Sequence, residues 1–322
     1  RHLKQQEDLK FIHPIADYMI SEIHLLLYRV GEKDQLSTAM AHFEKTTVQD
    51  WDASLQARAH WGLAQCRLFS GKTTKAMEAM QKALETVRSK DVRAWIQYHL
   101  ALEYSKQGIH DVAILGFQNV RTNVLEGISA ELLHAARFMQ FKNTLAVNNV
   151  LDAEALLVEI RVESDASYLD KALLTMAQAR IDRGEKGIAK AVLFELREQA
   201  PASELQAEAI LEEIRLLVIE RKWTEAITKY DKWLKTYPQH KNRMEVLFDR
   251  TWALAQSGKF RDAAKLFEEL MEGSPNIRQT HMARMWLADR AYNSRTNQLE
   301  AERLYMKIRG ATNCPPSLRH RA

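Results

Sequence analysis

The feature that most restricts this chain is a period. A glycine, an alanine five residues on and a bulky apolar residue four further recur as Gly71, Ala76 and Met80, then Gly108, Ala113 and Phe117. They recur again as Gly184, Ala189 and Leu193, and as Gly258, Ala263 and Phe267. Copies without the glycine run through Ala153 and Leu157, Ala226 and Tyr230, and Ala301 and Tyr305. The seven alanines are spaced by 37, 40, 36, 37, 37 and 38 residues. A second marker keeps the same phase, because Pro201, Pro238 and Pro275 each follow an alanine by 12 residues. Twelve residues make about three helical turns, and proline then blocks continuation. The glycine suits a chain reversal between two helices. A period of this length, marked twice, predicts helix pairs that stack on their neighbours.

Composition agrees. The chain has 11 glycines and 6 prolines in 322 residues, under half of ordinary usage. That is too few turn formers for an all-β fold or a doubly wound sheet. Each unit therefore reads as helix A, a turn, helix B and a linker. The expected pairs are 11–30 with 33–46, 57–70 with 73–88, 92–107 with 109–122, and 129–143 with 150–162. Then follow 167–183 with 185–199, 203–221 with 223–236, 242–257 with 259–272, and 278–294 with 297–308. The first pair is atypical, with Leu36 at the alanine position, and the fourth turns at Asn148 and Asn149. The implied units are 11–50, 51–90, 91–128, 129–165, 166–202, 203–240, 241–276 and 277–310, together one solenoid. Residues 311–322 are expected to be disordered, or to be the start of a further unit. In helix B the alanine, the residue four on and the residue seven on share one face. The small side chain lets helix A approach closely.

These residues resemble the tetratricopeptide (TPR) family of helix-pair repeats. The family's small residue in its second helix matches Ala76, Ala113, Ala153, Ala189, Ala226, Ala263 and Ala301, and its bulky aromatic matches Phe117, Tyr230, Phe267 and Tyr305. Its closing proline matches Pro201, Pro238 and Pro275. The first-helix pattern is sparser, with Leu63-Ala64, Leu100-Ala101, Met176-Ala177 and one tyrosine, Tyr104. The spacing exceeds the family's usual period of about 34, which implies longer helices or linkers. The resemblance spans about residues 11–310. It implies an all-α, right-handed superhelical solenoid of about eight antiparallel helix pairs. The segment Tyr230–Pro238 is also similar to segments of bacterial cell-envelope TPR proteins.

Catalytic signatures are absent from the sequence. It contains no phosphate-binding loop, no HExxH, no GxSxG and no GxGxxG. The carboxylate pairs Glu212-Glu213 and Glu268-Glu269 read as solvated helix faces. The histidines are scattered, and Cys66 and Cys314 have no metal spacing, so neither a metal nor a cofactor is expected. The net charge is +4, from 46 basic and 42 acidic residues. That small, dispersed excess disfavours nucleic acid as a partner. No window is long and apolar enough for a transmembrane segment. The chain begins with Arg1, which reads as a fragment or processed product; the compartment is open between the cytoplasm and the periplasm or envelope.

Binding residues follow from the resemblance. Such solenoids present helix A on a concave face, and the family's groove-facing positions are 2, 5, 9 and 12, counting position 1 as 19 residues before the alanine. Here they carry Arg58, Trp61, Trp95, Tyr98, Phe138, Lys142, Arg215, Phe248, Trp252, Trp286 and Arg290. Aromatic and arginine anchors of this kind dominate protein interfaces. A register slip of one residue would instead make Trp61 and Trp286 core residues. The chain is thus expected to be a non-catalytic scaffold that binds a protein or peptide. The alternatives are a regulatory or docking domain of a larger protein, such as a sensor, a transcription regulator or an envelope assembly machine, and then an RNA-binding helical repeat.

Overall fold

A computed structural model describes residues 2–48, 52–122, 128–162, 168–273, 278–294 and 297–322. Pro275 lies outside the described residues. Seventeen helices and no strands occur among them. The chain divides into two compact units, Arg1–Thr175 and Met176–Ala322.

The first unit holds α1 (His2–Arg29) with α2 (Gln35–Val48), α3 (Ala53–Phe69) with α4 (Thr73–Thr86), α5 (Lys90–Lys106) with α6 (His110–Thr122), and α7 (Ala130–Ala146) with α8 (Val150–Arg161). The boundary between the units falls inside α9 (Leu169–Asp182). The second unit continues with α10 (Lys186–Gln199), then α11 (Gln206–Ile219) with α12 (Trp223–Thr236), and α13 (Arg243–Gln256) with α14 (Phe260–Gly273). It ends with α15 (Arg278–Ser294), α16 (Gln298–Arg309) and α17 (Pro316–Arg321). The helices expected from the period are present. The first starts nearer the N-terminus than expected, at His2.

Among the described residues, seven of the A helices close in the same way. Five residues before the repeat alanine the backbone is left-handed, at Gly71, Gly108, Gly184 and Gly258, and also at Asn148 (φ 60°) and Arg221 (φ 57°). Gly31 does the same five residues before Leu36. At each of these seven turns this residue's N–H bonds a carbonyl three back, and the next N–H bonds one five back. Examples are Gly71 to Leu68 at 3.0 Å with Lys72 to Arg67 at 2.8 Å, and Arg221 to Val218 at 3.0 Å with Lys222 to Leu217 at 2.9 Å. This is the Schellman closure, which satisfies carbonyls that the helix end leaves free.

The core is a series of small clusters, each joining a helix A, its helix B and the next helix A. In the first unit Leu25, Phe43 and Leu63 join α1, α2 and α3. Ala64, Met80 and Ile96 join α3, α4 and α5, and Ala101, Phe117 and Leu132 join α5, α6 and α7. In the second unit Ile214, Trp233 and Val246 join α11, α12 and α13, and Phe248, Phe267 and Ala283 join α13, α14 and α15. All seven repeat alanines are buried. Trp233 also donates from Nε1 to the Ala207 carbonyl at 2.8 Å, tying helix B to helix A. In the first pair the small and large residues change places. Phe43 of α2 is buried against Gly62 of α3, where a Cβ would collide with its ring.

The tail departs from the expected disorder. Its residues form α17, which packs Leu318 against a cluster containing Met285 of α15 and Ile308 of α16. The physical reason is that helix B of the last pair needs a cover, and α17 takes the place of the next helix A. Arg319 fastens it by donating to the carbonyls of Ala311, Thr312 and Cys314, and Arg321 pairs with Asp289 at 2.7 Å.

Candidate partner-binding surface

Successive A helices leave a cavity between them in each unit. In the first unit α3 and α5, with α1 alongside, enclose about 960 Å³. In the second unit α11 and α13 enclose about 620 Å³ over Trp223 and Tyr230 of α12. The two are built by the same rule. The leading helix presents positions 5, 9 and 12: Trp61, Gln65 and Leu68 in α3, and Leu211, Arg215 and Val218 in α11. The following helix presents 2, 6, 9 and 13: Trp95, His99, Leu102 and Lys106 in α5, and Glu245, Asp249, Trp252 and Gln256 in α13. Both sets lie on one helical face, but the second is rotated so that it meets the first across the gap.

The expected residues therefore divide. Arg58, Trp61 and Trp95 line the first cavity, and Arg215 and Trp252 line the second. Trp61 and Trp95 flank His99, with ring centroids 5.1 and 6.0 Å away. Tyr98 turns its ring edge toward Phe117 at 5.6 Å, on the core side of α5. Phe138 stacks on Tyr168 at 5.2 Å and Lys142 is exposed, but neither lines these cavities. Phe248 is fully buried beside Phe267, so a partner cannot reach it. At position 5 of α5 and α13 the side chains Tyr98 and Phe248 meet their own helix B, at Phe117 and Phe267, and turn toward the core. Trp286 also packs on Phe267, at 5.4 Å, while Arg290 is exposed and lies over the Phe260 ring at 4.1 Å and the Trp286 ring at 5.8 Å.

Charge separates the cavities. In the first, Glu103 is buried and paired with Lys106 at 2.5 Å, and Glu22 accepts from the Tyr18 hydroxyl at 2.8 Å. Arg29 donates to the neutral amide oxygen of Gln65. Arg58 is exposed, and among the described residues no ion pair or side-chain hydrogen bond involves it. Burial lowers the pKa of His99, aided by Lys106, so its ring is a neutral wall at pH 7. In the second cavity Arg215 pairs with Asp182 at 2.7 Å and with Glu212 at 3.4 Å. Asp249 is pushed up to about 6 by burial and by the Glu245 carboxylate. Among the described residues no group of three or more His, Cys, Asp or Glu is placed to hold a metal ion, and no helix is long and apolar enough to cross a membrane.

Solved structures share this architecture. The C-terminal part of a TPR repeat-containing protein from Cytophaga hutchinsonii aligns over 82% of this chain and 98% of its own, with TM-score 0.59 and 12% identity. A tetratricopeptide repeat protein from Parabacteroides merdae aligns over 79% and 93%, with TM-score 0.54 and 13% identity. The fold is that of a TPR solenoid. The apo form of the quorum sensor NprR from B. thuringiensis shares the TPR-like fold over 95% of this chain and 90% of its own, with TM-score 0.58 and 15% identity. No family model matches the sequence, and no curated protein does.

His99, Lys106, Glu103 and Asp249 are among the cavity residues that family positions 2, 5, 9 and 12 miss. They stand at positions 6, 10 and 13. The i, i+4 spacing of Trp95 and His99 was the sequence signal for them.

Proposed function

We propose that this chain is a non-catalytic scaffold that binds a protein or peptide through its A helices. The observation that supports it most is the recurrence of one cavity design in both units, each with a tryptophan from the following helix A in its wall, Trp95 at position 2 in the first and Trp252 at position 9 in the second. Tryptophan and arginine at the rim of a preformed groove are the residues on which interface energy concentrates. Replacing Trp95 and Trp252 by Ala should weaken partner capture by the full chain by at least tenfold, on the scale of about 2 kcal/mol per lost anchor. The circular-dichroism helix signal should persist. Undiminished capture by the double variant would sink this reading.

A second reading, a sensor or docking domain of a larger protein, is favoured by the fold match to the quorum sensor NprR along nine-tenths of both chains. The two readings share the groove. They separate on whether ligand binding changes the behaviour of an attached domain.

A further inference from the structure

The inference below rests on the partner-binding reading and sharpens it for the first unit. The walls of that cavity are apolar and aromatic: Trp61, Trp95, His99 and Leu102. Its lining carries three cations, Arg29, Arg58 and Lys106, against two carboxylates, of which Glu103 is paired with Lys106 while Glu22 accepts from the Tyr18 hydroxyl. Its arginines are not neutralised, because Arg29 meets only the amide of Gln65 and Arg58 meets no acid among the described residues. The equivalent helix of the second unit carries Glu245 and Asp249 at the first two of the positions that hold Trp95 and His99 here. The positive character thus distinguishes this cavity from the one between α11 and α13.

We propose that the cavity between α1, α3 and α5 takes a bulky aromatic side chain of a partner segment whose neighbouring residues are acidic. The ring inserts between Trp61 and Trp95, over the neutral His99. Adjacent aspartate or glutamate side chains reach Arg58 and Arg29. Guanidinium–carboxylate hydrogen bonds are short and strong in such a rim, and the desolvated ring supplies the anchor. A cationic segment would place like charges together and be rejected.

The test uses the full chain and dye-labelled decapeptides, acetylated and amidated so that no terminal carboxylate contributes. One central Phe is flanked by Asp, by Asn or by Lys, and a fourth peptide carries Ala between the Asp residues. Fluorescence polarisation should show the Asp–Phe peptide binding at least tenfold tighter than the Asn–Phe peptide, with the Lys–Phe and Asp–Ala peptides weaker still. Arg58→Glu should abolish the preference for Asp over Asn, and Trp95→Ala should weaken both Phe peptides. Because Arg58 is exposed, its variant should melt with the parent, which separates loss of contact from loss of fold. Equal or tighter binding of the Lys–Phe peptide overturns the proposal, and so does a preference untouched by Arg58→Glu. If no peptide binds while partner capture still depends on Trp252, this inference fails and the broader reading stands. If capture depends on neither tryptophan, the broader reading fails.

Discussion

Single residues carry the tightest constraints here. Gly62 is one, because a methyl group at that position would overlap the Phe43 ring, which is itself fully buried. Overpacking of this kind costs about 1–3 kcal/mol, so Gly62→Ala should lower the urea midpoint by a matching amount. Asp249 is another. Its carboxyl is raised to about 6, first by burial and then by Glu245, against about 3.9 in an unfolded chain. Between those values the folded state holds a proton that the unfolded state has released, so this group's contribution to stability falls as pH rises from about 4 to 6. The side chain still reaches water, and solvent screening keeps the effect below about 1 kcal/mol. Asp249→Asn should raise Tm at pH 7 and lose most of that gain at pH 4. Cys66 behaves oppositely to a reactive thiol, since burial pushes it up to about 12.

At the scale of the element, the A-to-B turn is the recurring part. Asn148 and Arg221 adopt the left-handed backbone that glycine takes elsewhere. A residue with a side chain gives up about 1–2 kcal/mol there, while glycine gives up about 0.5–1 kcal/mol of unfolded-chain entropy. Arg221→Gly should therefore stabilise by up to about 1 kcal/mol in chemical denaturation, with the helix content unchanged. Helix ends were legible because glycine and proline sit at fixed offsets from the alanine. Helix α17 was not, because Cys314-Pro-Pro-Ser carries no alanine and no period. Its order depends on Leu318 finding the face of α15 and α16. The site was half legible for a similar reason. Positions 2, 5, 9 and 12 found Trp61, Trp95 and Trp252, but one count for every helix A ignored that the two walls face each other. His99 and Asp249 were lost to that rotation, and Phe248 was assigned to the groove when its own helix B claims it.

At the larger scale, the clusters among the described residues of each unit share burial among helices that are neighbours in sequence. Each cluster within a unit spans a helix pair and the helix that follows. Damage should then stay local. Phe117→Ala removes a fully buried ring from the cluster of α5, α6 and α7, at a cost of about 3–5 kcal/mol. Hydrogen exchange should quicken across those three helices and remain at the parent rate in α13 to α16, as expected of stacked repeats. A uniform loss of protection along the chain would contradict this picture. The turns described above also bear on why the fold is shared with solved structures while no family model matches. A family model scores which letter stands in a column. In this chain the column five places before the alanine holds Gly, Asn, Arg or Thr, and at Gly71, Gly108, Asn148, Gly184, Arg221 and Gly258 what stays fixed is a left-handed backbone. The repeat is written in backbone conformation, an alphabet that a comparison of side chains does not read.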